Sequence, residues 1–205
     1  MSGFSENKAQ ATRAAIIAHA LEVASHDGLE ALTMGTLADA LKMSKSGVFK
    51  RVGSRETLQL AVLEQYRRRF EAQVLGPARD AAAGLPRLRR LFKMSLDQVA
   101  SRQWAGCFYF SCAAEYDDRP GPVRHELMCG VLAWREAFEH SAQHARQAGQ
   151  LPATTDCEQL VFEIYALLLA VQHDMRLLER AGSSARALAA FEKLVEQDTA
   201  LPRHG

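Results

Sequence analysis

No stretch of this chain approaches the roughly 18 consecutive apolar residues that a membrane-spanning helix needs. The opening MSGFSENKAQATR also lacks the apolar core of a secretory signal. Both absences lead to the expectation of a soluble, cytoplasmic protein. Cysteine is scarce: Cys107, Cys112, Cys129 and Cys157 stand at no C-x-x-C or zinc-finger spacing, so reduced thiols are expected. There is no glycine-rich phosphate loop, no nucleophile-elbow pattern and no zinc-ligand motif, so neither an enzyme nor a cofactor is expected. Asp117 and Asp118 could suggest paired carboxylates, but beside Pro120 and Pro122 they read as loop and helix-start residues. Glu136, His140 and His144 form an i, i+4, i+8 stripe. Three ligands spread over about 12 Å of straight helix cannot share one ion, so no metal site is expected.

An excess of charge of either sign is missing too, because 25 lysines and arginines face 24 acids. The distribution is another matter. From Lys42 to Arg69 there are eight basic residues against two acids, whereas from Phe70 to Gly205 the acids lead by 17 to 15. A balanced total therefore conceals one basic segment, of the kind that meets nucleic acid.

Runs of β-branched residues are scarce while Ala and Leu dominate, which predicts an all-α protein of about nine helices. The first helix is expected from about Asn7 to His26, with Ile16, Ile17, Ala20, Leu21 and Ala24 on one face and Gly28 after its end. Thr33 suits the N-cap of a short helix from Met34 to Leu41, and Ser44 that of another from Lys45 to about Val52. Val48 and Val52 mark the inner face of the latter. Ser54 caps a long helix opening with Arg55, which Gly76-Pro77 should kink or end. Five further helices are expected, over about Pro86–Gln103, Gly106–Tyr116, Pro122–Ala148, Cys157–Arg180 and Ser184–Gln197. The domain division is placed along the long helix, with a helix-turn-helix unit over 1–56 and a larger unit over 57–205.

The stretch Thr33 to Leu58, TMGTLADALKMSKSGVFKRVGSRETL, carries most of the functional signal. From Lys42 onward it holds Lys42, Lys45, Lys50, Arg51 and Arg55 before its next acid, Glu56. Two short helices with a basic second member are the layout of a helix-turn-helix that places one helix in the DNA major groove. The pattern Thr12-Arg13, Gly28, Leu32-Thr33, Leu37-Ala38, Ser44-Lys45-Ser46-Gly47-Val48-Phe49 and Gly53-Ser54-Arg55-Glu56-Thr57-Leu58 closely resembles the DNA-binding domain of TetR-type transcriptional regulators. A second likeness, to a C-terminal ligand-binding type of that family, lies in Gly106-Cys107-Phe108 and in Ala113 to Arg124. The resemblance implies a homodimer paired through its last two helices, a small-molecule effector pocket above the reading head, and repression relieved by that effector.

Three positions depart from the family pattern. Phe49 stands where a tyrosine is common, Lys42 where the turn usually has glycine, and Arg55 where helix 4 commonly begins with lysine. Lys42 requires either a left-handed backbone or a different turn.

The residues expected to meet a palindromic double-stranded operator are Thr33, Lys45, Ser46, Gly47, Phe49, Lys50, Arg51 and Arg55. Thr33 and Arg55 are assigned to phosphates, Lys45 to a guanine edge and Phe49 to a thymine methyl or sugar, while Gly47 permits close approach. For a largely apolar effector the expected lining is Trp104, Cys107, Phe110, Met128, Trp134, Phe138 and Tyr165, drawn from an aromatic and sulfur-rich cluster. The competing reading of each is ordinary core. Alternatives for the whole protein are a thiol or electrophile sensor using Cys107, an activator, and a dimeric adaptor without DNA binding.

Overall fold

The computed structural model describes residues 2–101 and 107–200, with side chains described over 7–101 and 107–196. Among these residues it is all-α, without strands. Nine helices of seven residues or more run through the described residues: α1 (Ser2–Asp27), α2 (Met34–Ala40), α3 (Lys45–Val52), α4 (Arg55–Phe70), α5 (Leu85–Ala100), α6 (Phe108–Tyr116), α7 (Pro122–Gln147), α8 (Cys157–Arg176) and α9 (Ser183–Ala200). A 3-10 turn over Leu29–Ala31 links α1 to α2. No helix among the described residues is long and apolar enough to cross a membrane.

The chain forms two compact units. One comprises Met1–Arg69 and Phe108–Gly130, the other Phe70–Cys107 and Val131–Gly205. In the first, Ile16, Ala20 and Ala24 of α1 are buried with Leu37 of α2, Val48 and Val52 of α3 and Leu58 and Val62 of α4. Tyr66 closes this core against α6, its ring 4.8 Å from those of Phe108 and Tyr109. In the second unit, Phe92 of α5 stacks on Phe191 of α9 at 4.2 Å, and Trp134 of α7 is fully buried.

Local chemistry sets the helix ends. The Thr33 hydroxyl accepts from the Thr36 N–H at 3.1 Å while the Thr36 hydroxyl accepts from the Thr33 N–H, a reciprocal cap on α2. Ser44 caps α3 through the Gly47 N–H at 3.0 Å, and Asp156 caps α8 through the N–H groups of Glu158 and Gln159. At Gly76-Pro77 the helix neither breaks nor runs straight on. It widens into a π turn over Glu71–Leu75, in which the Gly76 N–H reaches the Glu71 carbonyl, and ends a turn later. The wider turn accommodates a proline that offers no N–H and whose ring would crowd a normal α turn.

The connection from α2 to α3 answers the question raised by Lys42. The Met43 N–H bonds the Ala38 carbonyl at 2.9 Å and the Lys42 N–H bonds that of Asp39 at 3.3 Å, which is a Schellman motif with Lys42 at its left-handed position, φ +53°. The same motif closes α7 with Gly149 at φ +68°. A β-carbon in this region costs on the order of 1 kcal/mol. Lys42→Gly is expected to stabilise the protein by about 0.5–1 kcal/mol, read as a higher urea midpoint at unchanged slope. An unchanged or lower midpoint would mean that Lys42 is held by contacts that outweigh the strain.

Candidate nucleic-acid interface

Helix α3 is two-faced. Val48 and Val52, one turn apart, are buried, while Lys45, Ser46, Phe49 and Lys50 are exposed and Gly47 and Arg51 half-exposed. Phe49 is 57% exposed, an unusual setting for an aromatic ring that has a core beside it. Lys50 and Arg51 sit in the last turn, where the helix dipole favours positive charge.

The basic segment separates into two groups. Lys42, Lys45, Lys50 and Arg51 form no ion pair among the described residues. Arg67 and Arg68 both bind the Glu64 carboxylate, at 2.5 and 2.7 Å. Arg55 is also engaged, through a 3.1 Å pair with Glu30 and a 2.9 Å bond from its Nε to the Leu32 carbonyl. Cations without an ion pair are therefore concentrated on α3 and the turn before it, where their array can replace counterions along a phosphate backbone. Of the residues expected at DNA, Thr33 is exposed with its hydroxyl committed to the α2 cap, and Arg55 is committed to Glu30.

Behind this head lies a polar network that local sequence patterns do not reveal. The Glu115 carboxylate accepts the backbone N–H groups of Leu29 (3.2 Å) and Glu30 (2.9 Å). It approaches so closely that a β-carbon at Gly28 would fall 2.3 Å from its Oε1, and Gly28 itself has φ +92°. The Tyr116 hydroxyl donates to the Glu30 carboxylate and accepts from the Gln59 amide at 2.8 Å, and Gln59 also donates to the Leu29 carbonyl at 3.1 Å. Arg119 pairs with Glu30 at 3.1 Å and lies over the Tyr116 ring. The Tyr116 hydrogen bond is the main reason the Glu30 carboxyl titrates below its ordinary value, with Arg55 and Arg119 adding to it and burial opposing. The Tyr116 phenol is pushed up, first by burial and then by Glu30.

Tyr116→Phe leaves the buried Gln59 amide and the Glu30 carboxylate short of a partner, and is expected to cost about 1–2 kcal/mol at neutral pH. A carboxyl with a depressed folded-state pKa gives stability that is present above its unfolded pKa and lost as pH falls through the folded one. The gap between wild type and variant should therefore narrow on acidification below the ordinary carboxylate range, leaving the part due to Gln59. Urea titrations at neutral and acid pH check this; a constant gap at both would show that Glu30 is not the linked group.

The residues expected to line an effector site are divided between the two units. Trp104 lies outside the described residues. Phe110, buried, and Met128, 42% exposed, belong to the first unit, whereas Cys107, Trp134, Phe138 and Tyr165 belong to the second. There Trp134 meets Tyr165 edge-on at 5.6 Å and tilts toward Phe138 at 6.4 Å. The Tyr165 phenol is pushed up to about 12, chiefly by burial. The Cys107 side chain is buried and its N–H donates to Gln172 at 2.8 Å. A cavity of about 430 Å³ does open in the second unit, lined by residues of α5, α7 and the turn after α4, and none of the six expected residues that are described is among them.

Residues 84–191, more than half of the chain, match the family model described as "Tetracyclin repressor-like, C-terminal domain". No curated protein matches the chain. Among solved structures it is similar to a TetR-family transcriptional regulator from Streptomyces coelicolor, at 18% identity over 91% of this chain and 95% of that one, with a TM-score of 0.79. It is also similar to a TetR transcriptional regulator from Chloroflexus aurantiacus, at 21% identity over 94% and 98%, TM-score 0.81. A third is AibR in complex with isovaleryl coenzyme A and operator DNA, at 22% identity over 89% and 96%, TM-score 0.69. At these identities the structural likeness establishes the fold.

Proposed function

This chain belongs to the TetR family of DNA-binding transcriptional regulators, and from that premise we propose that it is a homodimeric repressor released from a palindromic operator by a small molecule. The observation that carries the reading is the set of four unmatched cations, Lys42, Lys45, Lys50 and Arg51, on and beside a helix whose opposite face is anchored by Val48 and Val52. Residues 1–56 read DNA and 57–205 bind the effector and the partner. Lys50 and Arg51 neutralise phosphates, Lys45 reads a guanine edge, Ser46 and Gly47 allow close approach, and Phe49 packs on a thymine methyl. Thr33 offers its helix start to a phosphate. Arg55 contributes less than Lys50 or Arg51, since Glu30 already matches its charge.

One small head binds weakly, so two are needed. Exposed Phe162 and Leu169 on α8 and Leu188 on α9 supply an apolar face for pairing the last two helices across a two-fold axis. Two-fold pairing then requires inverted half-sites about one helical turn apart or a multiple of it. That AibR was solved with both a small molecule and operator DNA supports a regulator that answers to an effector. The effector acts by favouring a dimer whose head spacing no longer fits both half-sites.

Selection of bound fragments from the source genome tests this. Recovered fragments should share an inverted repeat and lose affinity steeply with salt. Fragments without a shared sequence, or none retained at low salt, would refute the reading.

A further inference from the structure

The cavity in the second unit has a lining unlike that of an apolar effector pocket. Its floor is apolar, from Leu75, Ala78, Leu91 and Ala137, but its remaining wall carries Arg79, Arg87, His140 and His144, with no carboxylate lining it among the described residues. At about 430 Å³ it suits one ring system or a short acyl chain with a head group.

The cationic groups differ in how they are held. Arg87 is fixed by the protein itself: its Nε and Nη2 donate to the carbonyls of Ala81 and Arg79 at 3.1–3.3 Å, while Nη1 has no partner among the described residues. A guanidinium already oriented by backbone carbonyls loses little freedom when it meets a ligand. Arg79 is paired with Glu71. His140 and His144 lie one turn apart on α7 and have no polar partner among the described residues. Each ring presents an N–H in either tautomer. Buried Ser141 between them donates to the Ala137 carbonyl at 2.8 Å, which leaves its oxygen able to accept.

We infer that this cavity binds a small amphipathic organic anion, its acid group facing Arg87 and the His140–His144 pair and its apolar body on Leu75, Ala78, Leu91 and Ala137. The site takes its purpose from the regulator reading above, but its binding chemistry does not depend on it. His140 and His144, in a stripe too long to share one metal ion, thereby become ligand contacts.

The test uses two fluorescent probes on the full-length protein, the anionic 1-anilinonaphthalene-8-sulfonate and its uncharged counterpart N-phenyl-1-naphthylamine. Arg87→Gln should weaken the anionic probe by about tenfold or more and the neutral one by less than about twofold. A His140→Gln/His144→Gln double variant should weaken the anionic probe by about threefold to tenfold; both positions are exposed, so it guards against misfolding of the arginine variant. Anionic binding unchanged in both variants, or equal losses for the two probes, would overturn the site. DNA retention is read separately on the same samples. A protein that shows this anion preference yet retains no DNA keeps the site and refutes the regulator reading, whereas DNA retention without the preference does the reverse.

Discussion

A Lys50→Ala/Arg51→Ala double variant will unfold within about 1 kcal/mol of wild type and bind operator DNA at least about 100-fold more weakly at 0.15 M salt. The small stability effect follows from where these side chains lie. Lys50 is exposed and Arg51 half-exposed, neither has an ion-pair partner among the described residues, and what they give the fold is a favourable end for the α3 dipole. Val48 and Val52, which hold α3 in place, are untouched. The large effect on DNA follows from counterion release. A dimer loses four phosphate-neutralising charges, so the slope of log affinity against log salt should flatten by about 3–4. An Arg67→Ala/Arg68→Ala variant is the necessary control. It removes the same formal charge, but from groups already bound to Glu64, and should weaken binding by no more than a few-fold. Equal losses in the two variants would mean that DNA senses net charge, with no particular role for α3. Normal operator affinity in the Lys50/Arg51 variant would remove DNA reading by this helix altogether.

That contrast between matched and unmatched cations marks where sequence reasoning runs out. The limits of α3, Lys45 to Val52, and the capping roles of Thr33 and Ser44 were legible because each depends on residues three or four apart. The same locality made the basic segment visible as a segment. It could not show that Arg55 is matched by Glu30, 25 residues earlier, or that Glu115 and Tyr116 brace Leu29 and Glu30 from more than 80 residues away. The segment from Ala113 to Arg124 stood out as a family likeness, and the network explains why Glu115, Tyr116 and Arg119 belong together in it. The end of α8 shows the same limit. Periodicity carries the helix to about Arg180, yet it stops at Arg176, with Glu179 at φ +50° and the Ser183 hydroxyl bonded to Asp174 at 2.7 Å. A helix end fixed by a bond from the next helix leaves no local signal.

The aromatic cluster poses the sharper question, whether Trp134 is core or pocket wall, and truncation answers it. Trp134→Ala is expected to cost about 3–5 kcal/mol, the range for removing a fully buried large aromatic. Trp134 is 0% exposed, its ring lies edge-on to Phe70 at 5.1 Å and Tyr165 at 5.6 Å, and its Nε1 donates to the fully buried Ser95 hydroxyl at 3.0 Å. Part of the cost is the void; part is a serine left without its donor in a place water does not reach. Trp134→Phe separates the two, since it keeps most of the packing and loses only the hydrogen bond, and should cost about 1–2 kcal/mol. Denaturation at one fixed protein concentration is required, because dimerisation adds to apparent stability. If the indole lined an open effector site, solvent would fill the space in the alanine variant and the loss would shrink below about 1.5 kcal/mol. A loss of the full size therefore locates effector binding away from the indole face, and a dry void in the same variant should take up free indole and recover part of the lost stability as indole is added. The charged cavity on Arg87, His140 and His144 should be indifferent to that rescue, because its apolar floor is Leu75, Ala78, Leu91 and Ala137, with no contribution from Trp134.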